Sequence, residues 1–244
     1  MNIVLILILF GIVVLITHYL EGITGFGCTV LALPFCTLLV GIKTAVPTLL
    51  ILAWILALYV IIIDFKKIIW KQYLRIMILV LLGLPIGILL FSIMPEHILK
   101  IILGVFMILV SLRGIYITFK DSPAVKKIPK VILNMCLFLG GIVHGAFGSG
   151  GPFIIIYATE NLPDKSNFRA TLCALWFTLN SIIIVRDLIA GAITFPVINV
   201  LLVSIPFLIV GMILGNITHG KINPKLFTKI IYVVLFVSGI FIFI

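Results

Sequence analysis

Apolar residues run along the chain in blocks of about twenty, parted by short stretches that hold nearly all the Lys and Arg. The blocks fall near 2–20 with a continuation at 28–42, then at 45–63, 73–94 and 98–119. A polar stretch, KDSPAVKKIPK, covers 120–130. Beyond it the blocks resume at 131–144 with a short continuation at 152–159, then at 168–185, 194–217 and 226–244. About 20 apolar residues in a helix cross the hydrocarbon layer. The pattern therefore predicts an all-α integral membrane protein with about eight apolar segments. It divides the chain into a first membrane part at 1–119, a cytoplasmic linker at 120–130 and a second membrane part at 131–244.

The two halves resemble each other. GITGFG at 22–27 lies over GAFGSG at 145–150, an offset of 123 residues. The same offset lays AVPTLLILAW (45–54) over FRATLCALWF (168–177), matching Thr48 with Thr171. After shifts of a few residues, GLPIG (83–87) meets GMILG (211–215) and PEHILKII (95–102) meets PKLFTKII (224–231). Leucine matches between apolar segments carry little information; the glycine spacing and the Pro-x4-Lys-Ile-Ile pair carry more. The chain reads as an internal repeat.

Composition agrees: 64% of residues are hydrophobic and 10% charged, where a soluble domain carries about 25% charged residues. The formal charge of +10 needs no nucleic-acid partner, because the basic residues sit in the short loops where topology signals belong. With the loops around 64–75, 113–130, 160–169 and 218–229 in the cytoplasm, only Lys43, Lys100 and Arg186 remain for the other side. Each glycine-interrupted segment, 2–42 and 131–160, must then begin and end on one side. Both are expected to be helical hairpins, one entering from outside and one from the cytoplasm, so that the repeats are inverted. Secondary transporters commonly have this architecture. The stretch 2–20 has no basic n-region and reads as a retained span. Cys28, Cys36, Cys136 and Cys173 lack any CxxC spacing and read as packing residues.

The glycine breaks are the candidate chemistry. An interrupted helix in hydrocarbon leaves backbone N–H and C=O groups unpaired, at several kcal/mol each. Such a break persists where protein, water or a ligand satisfies them. Gly148, Ser149, Gly150 and Gly151 precede Pro152, which suits the first turn of a helix, and Thr24, Gly25, Phe26 and Gly27 precede Cys28. The half-helices starting there would aim free N–H groups at the middle of the bilayer from opposite sides, an anion site. Close helix packing is the alternative reading of glycine, and it suits Gly83/Gly87 and Gly211/Gly215 better than these clusters.

Glu21 and His144 occupy equivalent positions beside the breaks, with His18 one turn away; ionisable groups at this depth face cavities or relay protons. The alternative is that they sit in headgroup territory. His18 and Glu21 alone are too few ligands for a metal site, and no cofactor is expected. Thr48, Thr171 and Asn180 are candidate pocket-lining groups or helix–helix hydrogen-bonding groups. Arg169 and Arg186 are candidate anion partners by chemistry; the competing readings are a topology signal at a cytoplasmic end for Arg169 and a local pair with Asp187 for Arg186. Trp54, Trp70 and Trp176 read as packing or interfacial residues.

HYLEGITGFGCTVLALPF in the first half and HGAFGSGGPFIIIYATENLPDKSNFRATLCALWFTLNS in the second resemble the TauE/SafE sulfite exporter family, also called the 4-toluene sulfonate uptake permease family. The resemblance spans essentially the whole chain. It implies a plasma-membrane permease for sulfite or a small organosulfur anion, with protons as a coupling ion. One departure is that Gly27 stands alone where the second half has Gly150-Gly151-Pro152. The expected partners are thus a small anion and the bilayer, with the oligomeric state open. Three rivals share the sequence: an anion channel, a membrane subunit of a larger complex, and an intramembrane enzyme, which lacks any HExxH or GxSxG.

Overall fold

The computed structural model describes residues 2–119, 128–162 and 164–219, together with Tyr232, Val233, Phe236, Val237, Gly239 and Ile240. Nine α-helices are found among the described residues: α1 Ile3–Thr24, α2 Cys28–Val40, α3 Ile42–Asp64, α4 Trp70–Ile93, α5 Glu96–Phe119, α6 Lys130–Phe147, α7 Gly151–Asn161, α8 Lys165–Ile189 and α9 Phe195–Thr218. Seven of them, all but α2 and α7, are long and apolar enough to cross a membrane. Their outward faces carry a belt of exposed Ile, Leu and Val, such as Ile8, Ile12 and Ile16 on α1 and Ile78, Leu82 and Ile86 on α4. In water that surface would be a large liability, whereas lipid is its natural solvent. Most of the eighth segment, 226–244, and most of the linker lie outside the described residues.

The expected hairpins are present. At 13 and 11 residues, α2 and α7 are about 20 and 16 Å long, too short to span. Each folds back against the helix before it, α1 or α6. Both turns are built alike. Gly25 and Gly148, 123 residues apart, take left-handed φ of 81° and 63°, which an L side chain rarely adopts. Their N–H groups donate to the carbonyls of Glu21 and His144, each at 2.7 Å. The glycines thus cap one helix and turn the chain into the next.

Packing between the halves is reciprocal. Helix α4 lies along α6, and α1 lies along α9. A methyl group placed on Gly83 or Gly87 would run into the carbonyls of Phe138 or Ile142. One placed on Gly211 or Gly215 would meet those of Leu15 or Tyr19. Leu15 and Phe138 are 123 residues apart, and so are Tyr19 and Ile142. Gly22 and Gly145, again an offset pair, rest against Gly215 and Gly87. The packing role expected for Gly83/Gly87 and Gly211/Gly215 is the one observed. At the centre α3 crosses α8, and Trp54 stacks on its offset partner Phe177 with centroids 5.1 Å apart.

The basic loops gather at one end. Arg169 reaches Asp64 on α3 at 3.7 Å and Asn216 on α9 at 3.0 Å. Tyr157 donates to Gln72, the Arg75 guanidinium lies over the Tyr157 ring, and the Ile128 N–H reaches Glu160. Described residues from three of the four loops that the charge pattern assigns to the cytoplasm, 64–75, 113–130 and 160–169, therefore meet at this end, together with the end of α9. Arg186 lies at the opposite end, paired with Asp187 as expected and also donating to the Ile88 carbonyl.

Candidate functional site

Between the two hairpin tips lies a cavity of about 20 Å³, lined by Glu21, Gly27, Thr29, Val30, Ala53, His144, Gly148, Ser149, Gly151, Trp176 and Asn180. Ala53 and Trp176 stand at the midpoints of α3 and α8, so the cavity sits at mid-height of the crossing pair. Both broken segments contribute, as do both central helices. Helices α2 and α7 start at its wall. The Thr29 and Val30 N–H groups on α2, and those of Ser149, Gly150 and Gly151 leading into α7, have no protein partner among the described residues. These are the orphan donors that any helix start presents.

One donor is taken. The Cys28 N–H donates to Glu21 Oε2 at 2.7 Å, so the carboxylate from the end of α1 caps the start of α2. Glu21 is buried, and the cavity lining around it includes no Lys or Arg. The buried Arg169 is turned toward Asp64 and Asn216.

The second half answers with a different residue. His144, at the position equivalent to Glu21, makes a 3.0 Å hydrogen bond from Nε2 to Asn180 Oδ1. The Asn180 amide in turn faces the Leu50 carbonyl, which fixes its oxygen toward His144 and gives Nε2 the proton. Among the described residues, His144 Nδ1 is left buried without a partner, and so is the Ser149 hydroxyl. Both residues line the cavity. A buried polar atom left unpaired costs about 1–3 kcal/mol, and two of the residues lining the cavity each carry one.

Of the residues expected from sequence, Glu21, Gly27, Gly148, Ser149, Gly151, His144 and Asn180 meet at the cavity. The others lie outside its lining. Thr24 turns its hydroxyl to the Leu20 and Phe26 carbonyls, which closes the first tip. Gly25 caps α1, Phe26 packs edge-on against Phe168, and Gly150 lies tight against the Gly140 carbonyl. Cys28 supplies the N–H that Glu21 accepts. Thr48 donates to the Thr44 carbonyl within its own helix, and Thr171 accepts from the Ile69 N–H. His18 is buried one turn from Glu21, its Nδ1 on the Val14 carbonyl.

Two residues differ from their sequence reading. Trp176 was expected to be packing or interfacial. It lines the cavity, lies flat on His144 and donates its indole N–H to the Gly25 carbonyl at 2.9 Å. Arg169 is 1% exposed and fully inside the cationic end, where a topology signal would face the headgroups. Thr29, Val30 and Ala53 also line the site unforeseen. Only the rotation of each helix about its axis decides that, and the apolar pattern of a span leaves the rotation open.

Seven helices long and apolar enough to cross a membrane, two helical hairpins and a polar cavity between their tips define a multi-span membrane protein. A scan of protein families matches residues 9–242 to "Sulfite exporter TauE/SafE", and the chain belongs to that family. Searches of curated proteins and of solved structures return no match.

Proposed function

We propose that the chain is a secondary transporter that moves a small oxyanion such as sulfite by alternating access of two inverted repeats. The cavity is the binding site in this reading. The observation that carries it is the convergence of two helix starts, with free N–H donors and the unpartnered Ser149 hydroxyl, on one cavity at mid-height. The reciprocal fit of α1 on α9 and α6 on α4 supports the inverted repeat, because a two-fold relation between the halves generates both contacts from one. The bundle ends differ in their ion pairs, Arg169–Asp64 at one and Arg186–Asp187 at the other. Of these, Arg169–Asp64 joins α8 to α3 across the halves, and at the other end the crossing contact is Arg186 with the Ile88 carbonyl; these two are the contacts to make and break as the halves rock.

Charge decides the coupling. Two like unit charges 4 Å apart repel by about 4 kcal/mol at an effective dielectric of 20. An ionised Glu21 and a bound anion therefore oppose each other, and a proton on Glu21 removes the conflict. His144 Nδ1 serves the same end from the other wall: a proton there turns an acceptor into a donor aimed at the anion. Proton and anion then travel in the same direction. A channel would share the site but would not accumulate its ion.

The test is sulfite uptake by proteoliposomes under an imposed proton gradient. Uphill accumulation by the wild type supports the transporter; flux that only dissipates the sulfite gradient overturns it in favour of a channel. Gly151→Ala probes the site directly, since a Cβ there meets nothing closer than 3.9 Å and folding should be spared. That methyl group narrows the cavity, so uptake should fall at least several-fold. Unchanged uptake would remove the cavity from consideration.

A further inference from the structure

The cavity is framed by offset pairs from the two halves, and one pair is badly unequal. Ala53, the smallest chiral residue, stands on α3 where Trp176, the largest, stands on α8. Trp176 joins the two breaks. Its indole N–H is held by the Gly25 carbonyl at the first tip, and its ring lies against His144 with centroids 5.4 Å apart at 21°. Its Cζ2 edge reaches the start of α7, 4.0 Å from where a Cβ on Gly151 would lie. Only 5% of Trp176 is exposed. Swinging the ring aside would break a buried hydrogen bond and an aromatic stack together. Because its one donor is already spent on Gly25, the ring meets a guest only as a flat, uncharged wall.

We propose that Trp176 sets the upper size of the transported anion. The site accepts a compact oxyanion, one central atom with its oxygens, and rejects anions bearing an aryl or long alkyl group. The inference rests on the reading of the cavity as the anion site. With about 20 Å³ of space between the tips, even a compact oxyanion needs the hairpins to part. The parting tips are α2 and α7, whereas the α8 wall is carried by a helix that crosses the centre of the bundle. A substituent directed at that wall gains nothing from the motion.

Thermal unfolding of the purified full-length protein, titrated with sodium sulfite and with sodium benzenesulfonate, tests this, because a ligand of the native state raises its unfolding temperature. Wild type should respond to sulfite and not to benzenesulfonate. Trp176→Ala should gain a benzenesulfonate response, its apparent affinity rising by about tenfold or more relative to sulfite. Trp176→Phe keeps a ring against His144 but loses the N–H, and should still reject benzenesulfonate. The Phe variant decides the question if the Ala variant does not fold: a benzenesulfonate response from it equal to its sulfite response overturns the filter. So does a wild type that responds equally to both anions, or a folded Ala variant that binds sulfite alone. A wild type unmoved by any small oxyanion overturns the anion site itself, and the filter with it.

Discussion

Glu21 Oε2 accepts the backbone N–H of Cys28 at 2.7 Å, so the helix start that should greet an anion already holds one of the protein's own. The carboxylate is tethered seven residues away, at the end of the preceding helix. In the proposed cycle it caps the empty site and competes with a bound anion.

Exchanging Glu21 for Gln keeps an acceptor for Cys28 and removes the charge. Glu21→Gln should still bind and exchange sulfite but lose its acceleration by an inward proton gradient. Titratable groups around Glu21 that could carry a residual response include His18 on α1, Cys28 on α2, His144 on α6 and Cys173 on α8. Counterflow and gradient-driven uptake, measured on the same proteoliposomes, separate the two effects. Glu21→Ala should in addition lower stability by about 1–2 kcal/mol, the usual loss on removing a helix N-cap.

Gly87 and Gly215 hold equivalent seams closed. Gly87→Ala places a methyl group on the Ile142 carbonyl and Gly215→Ala one on the Tyr19 carbonyl. Backbone cannot yield as a side chain can, so each should cost about 1–3 kcal/mol of stability. The two losses should be alike. Unfolding curves in detergent would show it, and a loss confined to one seam would contradict the equivalence.

Arg169 draws α3, α8 and α9 together, and its Cα lies against Gly25 at the first tip. Lysine carries the charge but not the planar fork that serves Asp64 and Asn216 at once. Arg169→Lys should destabilise the protein by about 1.5–3 kcal/mol, the worth of a buried hydrogen bond to a charged group. Asn216→Ala removes the same bond from the other side. A double-mutant cycle should therefore be non-additive.

His219 closes the same end, its ring Nδ1 donating to the Ile23 carbonyl at 2.6 Å. Its pKa lies below the usual 6.5, chiefly because burial disfavours the charged ring, with Arg169 and Lys67 adding to the effect. The Ile23 carbonyl and Asp64 oppose it. With the folded value the lower one, the unfolded chain binds more protons in between. Stability should therefore be full above about pH 6.5 and fall as the pH drops through the folded pKa. His219→Asn should flatten that part of the unfolding profile.

Much of this architecture can be read from the sequence because its cause is local. Glycine at 25 and at 148 is demanded by backbone angles, and the 123-residue offset between the two survives in any apolar background. Glu21, His144 and Ser149 followed from adjacency to those turns. Trp176 did not, because its role depends on which way α8 faces at mid-height. The signal was nevertheless present: the alignment that pairs Thr48 with Thr171 also sets Ala53 against Trp176. Unequal bulk at equivalent mid-helix positions is a sign of an asymmetric site. Thr48 and Thr171 lie outside the cavity lining: Thr48 spends its hydroxyl on the Thr44 carbonyl of its own helix, as helical threonines often do, and Thr171 ties α8 to the Ile69 N–H.

The seam between α1 and α9 has a consequence for biogenesis. A membrane chain is threaded into the bilayer from its N-terminus, so α1 is inserted long before the helix that it packs against has been made. Meanwhile Gly22 and the exposed carbonyls of Leu15 and Tyr19 face lipid, unmatched. The α6 seam closes sooner, because α4 is already in place when α6 arrives. Assembly therefore runs out of order, with α1 in the membrane well before α9, the helix on which it packs. Any quality-control factor that attends this chain has its longest opportunity at α1.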